Sequence, residues 1–200
     1  MKRYKFLNLI DGKIKSNSGD KTWEVKKWEH EDEIEMCNKG FHCSKGIYQA
    51  FSFVQGEILA EVEVKGKKEI QDDKEVYTDM RILKAWKWQK KDSVALSIYA
   101  AELCLENFEK VYPDDDRPRK AIEAAKRWLE NPTKENESAA ESAARSAAWS
   151  ARSAAESAAW SAWSAAESVA RSAARSARSA VIKKISKWFD NHLKELETYD

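Results

Sequence analysis

The sequence predicts an α+β fold class, with a small α+β domain over residues 1–90 and an all-α helical domain over residues 91–200. Three observations support this division. Apolar and polar residues alternate in several segments before Gln89, as they do in β-strands. After Asp92 the apolar residues recur every three or four positions, as they do in helices. From Ser138 to Ala180 runs a Ser/Ala-rich repeat, mostly of 11 residues, which is typical of a helix with straight residue stripes.

The chain opens with a predicted β-hairpin. Phe6–Ile10 is largely apolar and precedes Asp11-Gly12, a pair that favours the tight turn of a hairpin. Lys13–Lys15 supplies the second strand of this hairpin.

Two further strands and a short helix complete the predicted N-terminal domain. Glu57–Gly66 alternates apolar and polar positions and is the clearest strand in the sequence. Val76–Trp86 is rich in residues that favour strands. Ser44–Val54 is predicted to be a short helix that packs on the sheet.

Amphipathic helices are predicted after residue 92. Ser93–Tyr112 has helical periodicity and a capping residue at its start. Arg117–Leu129 has Pro118 in its first turn, where proline is well tolerated. The segment 181–196 is a further amphipathic helix, which we expect to pack on the helices of its own domain.

The repeat divides its residues among three stripes of a helix. Ser forms one stripe, Ala forms a smooth face that suits close packing, and the last residue of each step forms a stripe that carries the charges and tryptophans. One continuous helix of roughly 45 residues would be about 65 to 70 Å long. The sequence leaves three alternatives open: one long helix, projecting or paired with a second copy, two or three helices in a bundle, or a disordered segment.

Composition and charge exclude several classes of protein. With 35 basic and 34 acidic residues the net charge is +1, so no overall field draws the chain to nucleic acid or to an anionic membrane. No apolar stretch reaches the roughly 18 residues that a membrane span needs, and the apolar run at the start is too short for a signal peptide. Three cysteines at irregular spacing do not suit a disulfide framework. We therefore expect a cytoplasmic protein with reduced thiols and no membrane partner.

The segment Pro113–Trp128 carries a motif that is similar to one in a known family. It has the pattern P-x-D-x-R-P-R-x-A-I-E-A-A-x-x-W, followed by Ala-rich sequence. In this it resembles a bacterial immunity protein family, and the resemblance covers about Ser93 to Ala180. The resemblance implies a helical protein that neutralises a toxin by binding it.

The segment Cys37–Cys43 carries a second motif, with Gly40, Phe41 and His42 in sequence. It resembles an uncharacterised domain of phage and prophage proteins with a C-x-x-G-F-H-x-C core, over roughly Tyr4 to Trp86, which implies a mobile-element origin. More faintly, the same region resembles the central strand-helix-strand of ADP-ribosyltransferases. That resemblance implies a ligand site for NAD formed by Gly40, Phe41, His42 and Tyr48.

Metal binding and nucleophilic catalysis are disfavoured by the spacing of the candidate residues. Cys37, His42 and Cys43 are metal-binding residue types with His30 nearby, but their spacing is not that of a zinc site. Cys43 stands beside His42 without a third group to orient the pair. We therefore predict no catalytic residue, no metal and no cofactor.

The third stripe of the repeat is the predicted partner-binding surface. Tryptophan and arginine are the residues most enriched at interface hot spots, although burial of this stripe against other elements is an alternative. No acidic residue occurs from Ser168 to Phe189, so Arg171 to Lys187 could also bind nucleic acid. The predicted partner-binding residues are Arg145, Trp149, Arg152, Trp160, Trp163, Arg171, Arg175 and Arg178.

These observations lead to one functional hypothesis and two alternatives. The leading hypothesis is a non-enzymatic, protein-binding inhibitor of phage or mobile-element origin. Its partner would be a toxin or a host defence protein such as a CRISPR nuclease, and the Ala face could pair two copies of the chain. The alternatives are an ADP-ribosyltransferase-like enzyme that uses NAD and a nucleic-acid-binding protein.

Overall fold

The computed structural model describes residues 2–54, 56–143 and 167–199, with residues 167–178 described by their backbone alone. The chain forms two compact units. The first, the sheet unit, consists of Met1–Gln89 together with Ser186–Asp200. The second, the helical unit, consists of Lys90–Ile185.

The sheet unit contains a seven-stranded antiparallel sheet and one short helix among the described residues before Gln89. These elements are β1 (Lys2–Ile10), β2 (Lys13–Lys15), β3 (Thr22–Trp23), β4 (Glu29–His30), β5 (Phe41–Cys43), α1 (Ile47–Phe53), β6 (Ile58–Ile70) and β7 (Glu75–Lys87). The strands follow the order β3-β2-β1-β6-β7-β4, and β5 also pairs with β7.

The α+β fold class predicted for residues 1–90 is wrong. The antiparallel sheet dominates the described part of this region, and α1 has only seven residues. The Asp11-Gly12 turn correctly predicted β1 and β2, alternation predicted β6, and residues that favour strands predicted β7. Sequence reasoning missed β3, β4 and β5 because strands of two or three residues are too short to show alternation. These short strands form by pairing with β2 or β7.

The hairpin of β6 and β7 is the frame of the sheet. Both strands have 13 residues, and their register shifts twice, the second time next to Gly66, whose φ is +83°. Such irregularities bend a hairpin and increase its twist. On the far edge of β7 lies β5, and Ser44, just after β5, exchanges two backbone hydrogen bonds of 2.9 Å with Tyr4 of β1. The sheet therefore curves until β5 joins the free edges of β1 and β7.

Apolar side chains cover both faces of this curved sheet. Alternation along β1 places Leu7 and Phe6 on opposite faces. Leu7 is fully buried in a core with residues such as Ile58, Met80 and Ile82. Phe6 packs edge-on against aromatic rings, including Trp88 with centroids 5.5 Å apart. The sheet is thus stabilised by an inner core, in which Trp23, Phe41 and Tyr77 join the aliphatic residues, and by an outer aromatic cluster.

The C-terminal residues complete the outer aromatic cluster. Phe189 is 1% exposed, and its ring centroid lies 5.8 Å from that of Trp88 and 6.2 Å from that of Phe51. Further along, the Tyr199 amide donates to the Ala85 carbonyl over 2.9 Å. The expectation that segment 181–196 packs on the helical domain is therefore wrong for the residues that follow Ile185.

The described helices of the second part are α2 (Lys90–Val111), α3 (Arg117–Glu130), α4 (helical over 134–143) and α5 (Glu167–His192). The helices predicted near α2 and α3 are confirmed. Arg119 donates two hydrogen bonds of 2.7 Å to Glu109, and Lys126 lies 2.6 Å from Glu102, so ion pairs join α3 to α2. Arg119, the second arginine of the R-P-R motif, thus helps to hold α3 against α2.

The 11-residue repeat is not shown as a structural feature. Its two ends, 138–143 and 167–180, are helical, and the rest lies outside the described residues. The residues that would distinguish one long helix from a bundle or a disordered segment also lie outside the described residues. Among the described helices, none is both long and apolar enough to cross a membrane.

The packing of the C-terminal residues can be tested with Phe189→Ala. We expect this change to lower the free energy of unfolding by about 3 to 5 kcal/mol, because it removes a buried ring from a packed cluster. Lys187→Ala, at an exposed position on the same helix, should change it by less than about 0.5 kcal/mol. Urea denaturation of the full chain measures both. Equal effects of the two variants would contradict the docking of Phe189 on the sheet.

Candidate functional site

A cavity of about 240 Å³ opens in the sheet unit beside β1, β5 and α1. Much of its wall is apolar, and Phe53 and Val54 at the end of α1 are 46% and 37% exposed. The polar groups on the wall come from β1, from β5 and from the loops that precede β5 and β7. The lining residues are Tyr4, Lys5, Phe6, Cys37, His42, Cys43, Ser44, Ala50, Phe53, Val54 and Lys74.

Hydrogen bonds hold the polar wall of this cavity in place. The Cys37 amide donates to Nε2 of His42 over 2.8 Å, which requires that nitrogen to be unprotonated. Nζ of Lys5 donates to the His42 carbonyl over 3.0 Å. Gly40, two residues before His42, has a φ of +91°, a left-handed conformation that suits glycine. The turn at Gly40 therefore starts β5 in the position where His42 meets Cys37 and Lys5.

The electrostatics of the cavity are positive. Burial lowers the pKa of Lys5. Burial also lowers the pKa of His42, and the charges of Lys5 and Lys74 lower it further. His42 is thus a neutral acceptor at neutral pH. The hydrogen bond to Cys37 raises the pKa of Lys74, so the Lys74 ammonium supplies positive charge. Among the described residues, no Asp or Glu lines this cavity.

A buried ion pair joins Arg3 and Glu75, which are next in sequence to Tyr4 and Lys74 of the cavity wall. Nε of Arg3 is 2.5 Å from one Glu75 oxygen and Nη2 is 3.2 Å from the other, while the Tyr77 hydroxyl donates over 2.8 Å. Burial alone would raise the pKa of Glu75, but the hydrogen bonds from Arg3 and Tyr77 outweigh it and hold this pKa below its usual range. Burial and the Glu75 carboxylate raise the pKa of Tyr77 to about 12. Because Glu75 is bound to Arg3, it does not neutralise the lysines of the cavity.

The two thiols of the cavity have different surroundings. Cys43 is buried, and burial raises the pKa of its thiol to about 12. It is therefore a neutral packed thiol rather than a nucleophile. Cys37 is exposed, and its Sγ lies 2.8 Å from Nζ of Lys74.

A second, wider cavity of about 580 Å³ also has Lys5 on its wall. Trp23 and Phe41 line it, with ring centroids 5.2 Å apart, and Nζ of Lys21 lies 4.5 Å from the Phe41 centroid. Acidic and basic side chains both line this cavity, so it has no dominant charge.

The structure does not bring the four predicted ligand residues together. His42 lines the smaller cavity, whereas Gly40 and Phe41 line the wider one and Phe41 belongs to the core. Tyr48, on α1, lines neither. The predicted partner residues Arg145, Trp149, Arg152, Trp160 and Trp163 lie outside the described residues, and Arg171, Arg175 and Arg178 are described by backbone alone.

The candidate metal residues are also separated. Nδ1 of His30 lies 3.0 Å from an Asp79 oxygen at the β4 edge, while His42 bonds to the Cys37 amide. No group of three or more His, Cys, Asp or Glu able to hold a metal occurs in the described part of the chain.

Sequence reasoning missed Lys5 and Lys74, which carry the charge of the smaller cavity. Lys5 lies in β1 two residues before the buried Leu7, and the alternation of a strand places both on the same face, which was the available signal. Lys74 follows two acidic residues in a turn, where a lysine is ordinary surface sequence.

The buried ion pair can be tested by removing one partner. We expect Glu75→Gln to lower the free energy of unfolding by about 3 to 5 kcal/mol, because it leaves the Arg3 charge buried and unpaired. Arg3→Leu combined with Glu75→Leu should restore much of this loss, since no charge then remains in the site. Denaturation at neutral pH measures both. A single variant as stable as the parent would contradict the ion pair.

The same pair predicts a pH dependence of stability. Since the pKa of Glu75 is lower in the folded than in the unfolded chain, its contribution is complete above the ordinary pKa of 4.5 and is lost as pH falls through the folded pKa. The free energy of unfolding should therefore fall more steeply below pH 4.5 in the parent than in Glu75→Gln. Denaturation over a pH series measures the two slopes. Parallel slopes would contradict a lowered pKa for Glu75.

Comparison with known proteins gives one match. Residues 4–92 match a family model described as a domain of unknown function (DUF7666), a range that contains β2 to β7 and all of β1 except its first two residues. No curated protein and no solved structure matches the chain significantly. The match bears on neither the immunity protein resemblance nor the phage-domain resemblance, and both stay predictions. Over its sheet-forming region, this chain is thus similar to a domain family whose function is unknown.

Proposed function

We propose that this protein acts by binding, and that its sheet unit recognises a small anionic group attached to an apolar body. The observation that carries the proposal is the smaller cavity, whose apolar wall is combined with two lysines and no described carboxylate. A carboxylate or phosphate would meet the ammonium groups, and a ring or aliphatic group would contact Phe6 and Ala50. Charge-assisted hydrogen bonds of this kind are among the strongest that a binding site can offer.

The volume of the cavity limits the size of the ligand. About 240 Å³ is below the roughly 300 to 1,000 Å³ of pockets for drug-sized molecules. The site therefore suits a small acid, or one acidic end of a larger molecule that continues past the exposed Phe53. Both sources share the same chemistry, an anion next to an apolar group.

An NAD-using enzyme, the first alternative, has less support from the geometry. Its four ligand residues would need to face one site, and only His42 lines the charged cavity. NAD does carry a pyrophosphate, so binding of its anionic part to Lys5 and Lys74 is an outcome to be measured.

The proposal is tested by titrating the full chain with benzoate and phenyl phosphate, with uncharged benzamide as the matched probe. We expect the anions to bind and benzamide to bind at least about tenfold more weakly, because it cannot form charge-assisted bonds. Lys74→Met should weaken benzoate binding about tenfold, whereas Lys68→Met, at an exposed site on β6, should leave it unchanged. Calorimetry measures all five affinities.

Two outcomes would contradict the binding proposal. One is equal affinity for benzoate and benzamide, which would mean that charge plays no part. The other is release of nicotinamide when NAD is added, which would favour the enzyme instead. A loss of binding in Lys68→Met as well as in Lys74→Met would point to general charge rather than to the cavity.

The Trp and Arg stripe of the repeat favours a second candidate, the protein-binding inhibitor of a toxin or a host defence protein. The support for it is the sequence pattern and the immunity protein resemblance. If the stripe binds a protein, Trp160→Ala and Arg171→Glu should abolish co-purification of that protein without changing thermal stability. Loss of about 3 to 5 kcal/mol in Trp160→Ala would instead mean that the ring is buried. Salt-sensitive retention of DNA or RNA would favour the nucleic-acid alternative.

A further inference from the structure

Lys5 of β1 lies where the inner core meets the wider cavity. It is two residues before Leu7, so strand alternation places both side chains on the same face of the sheet. Leu7, Trp23 and Phe41 belong to the inner core, and the two aromatic residues also line the wider cavity. An amine is thus placed beside aromatic rings in a cavity of about 580 Å³, which is within the roughly 300 to 1,000 Å³ of ligand pockets.

Lys5 has no acidic partner among the described residues. Its Nζ forms no ion pair there and donates one hydrogen bond, to the His42 carbonyl over 3.0 Å. A carbonyl accepts a hydrogen bond from an uncharged amine as well as from an ammonium, so this contact does not require the charge. The other charged residues on the wall of the wider cavity are Asp20, Lys21, Glu31, Asp32, Glu33 and Lys39.

The surroundings of Lys5 favour the nucleophilic form of its side chain. Burial lowers the pKa of Lys5, which increases the fraction of uncharged amine at a given pH. The Cys43 thiolate would act in the opposite direction, but burial raises the pKa of that thiol to about 12, so it is neutral. An uncharged lysine amine attacks carbonyl carbon, and buried lysines of this kind form Schiff bases in enzymes.

Two other lysines of the wider cavity provide internal comparisons. Nζ of Lys21 lies 3.0 Å from a Glu31 oxygen. Nζ of Lys39 lies 2.7 Å from a Glu33 oxygen. Each of these ammonium groups is paired with a carboxylate, whereas Lys5 is not. Differences in reactivity between Lys5 and the two paired lysines therefore report the surroundings of the amine rather than access to the cavity.

We propose that Lys5 is a site of imine formation with an aldehyde or ketone that carries an apolar ring and enters the wider cavity. Nζ attacks the carbonyl carbon and a C–N bond forms. The carbonyl oxygen leaves as water with the two hydrogens of the amine, and a C=N bond replaces the C=O bond. The ring of the ligand contacts Trp23 and Phe41. This step is independent of anion binding in the smaller cavity, where Lys74 supplies the charge.

Reductive trapping on the full chain tests the proposal. Benzaldehyde is added with sodium cyanoborohydride, which transfers hydride to the imine carbon and leaves a stable benzyl group on the nitrogen. Peptide mass spectrometry then gives the rate at each lysine. We expect Lys5 to react at least about tenfold faster than Lys21, Lys39 and the exposed Lys68 of β6. In urea that unfolds the chain, the four rates should become similar, because the preference depends on the fold.

Three comparisons separate the proposed site from general amine reactivity. Acetaldehyde, which has no ring, should show a smaller preference for Lys5 over Lys68 than benzaldehyde does. In the folded chain, labelling of Lys5 should reach half of its maximal rate at a lower pH than labelling of Lys68, because burial lowers the pKa of Lys5. Lys5→Arg, which keeps a positive charge, should abolish the fast labelling and leave the rates at Lys21 and Lys39 unchanged.

Three results would overturn the proposal. One is a rate at Lys5 no higher than that at Lys68 in the folded chain. Another is a preference for Lys5 that persists in urea, which would assign it to the local sequence. The third is an equal preference with the two aldehydes, which would exclude the contact with Trp23 and Phe41. Benzoate binding is measured separately, so either proposal can fail while the other stands.

Discussion

The buried ion pair between Arg3 and Glu75 is the constraint on which the rest of the sheet unit depends. The two residues are 72 positions apart and lie at the ends of strands that are not neighbours in the main order of the sheet. A buried charge is tolerated only with a partner, so β1 and β7 must approach each other there. The gap between them is the width of one strand, and β5 fills it. The position of His42 follows from that of β5.

The same pair determines the charge of the cavity. Glu75 accepts hydrogen bonds from Arg3 and Tyr77, so its carboxylate is engaged with these two residues. The described residues that line the cavity include lysines but no Asp or Glu. The positive charge of the cavity thus arises where the Glu75 carboxylate is engaged with Arg3 and Tyr77.

Sequence reasoning found what depends on local pattern and missed what depends on distant pairing. The β1–β2 hairpin was predicted because Asp11 and Gly12 specify its turn, and both have positive φ in the structure. β5 was not, since three residues show no periodicity and acquire strand geometry only by pairing with β7. The charged site was missed for the same reason: Lys5 and Lys74 come from distant parts of the chain and line one cavity, and no spacing in the sequence relates them.

The return of the C-terminal residues to the outer aromatic cluster makes the helical unit an insertion within the sheet unit. Lys90–Ile185 separates the two segments of the sheet unit, Met1–Gln89 and Ser186–Asp200, in the sequence. During synthesis, the aromatic rings of Phe6, Phe51 and Trp88 therefore lack their contacts with Phe189 until that residue has been added to the chain. The sheet unit can therefore be completed only after the whole sequence of the helical unit has been made.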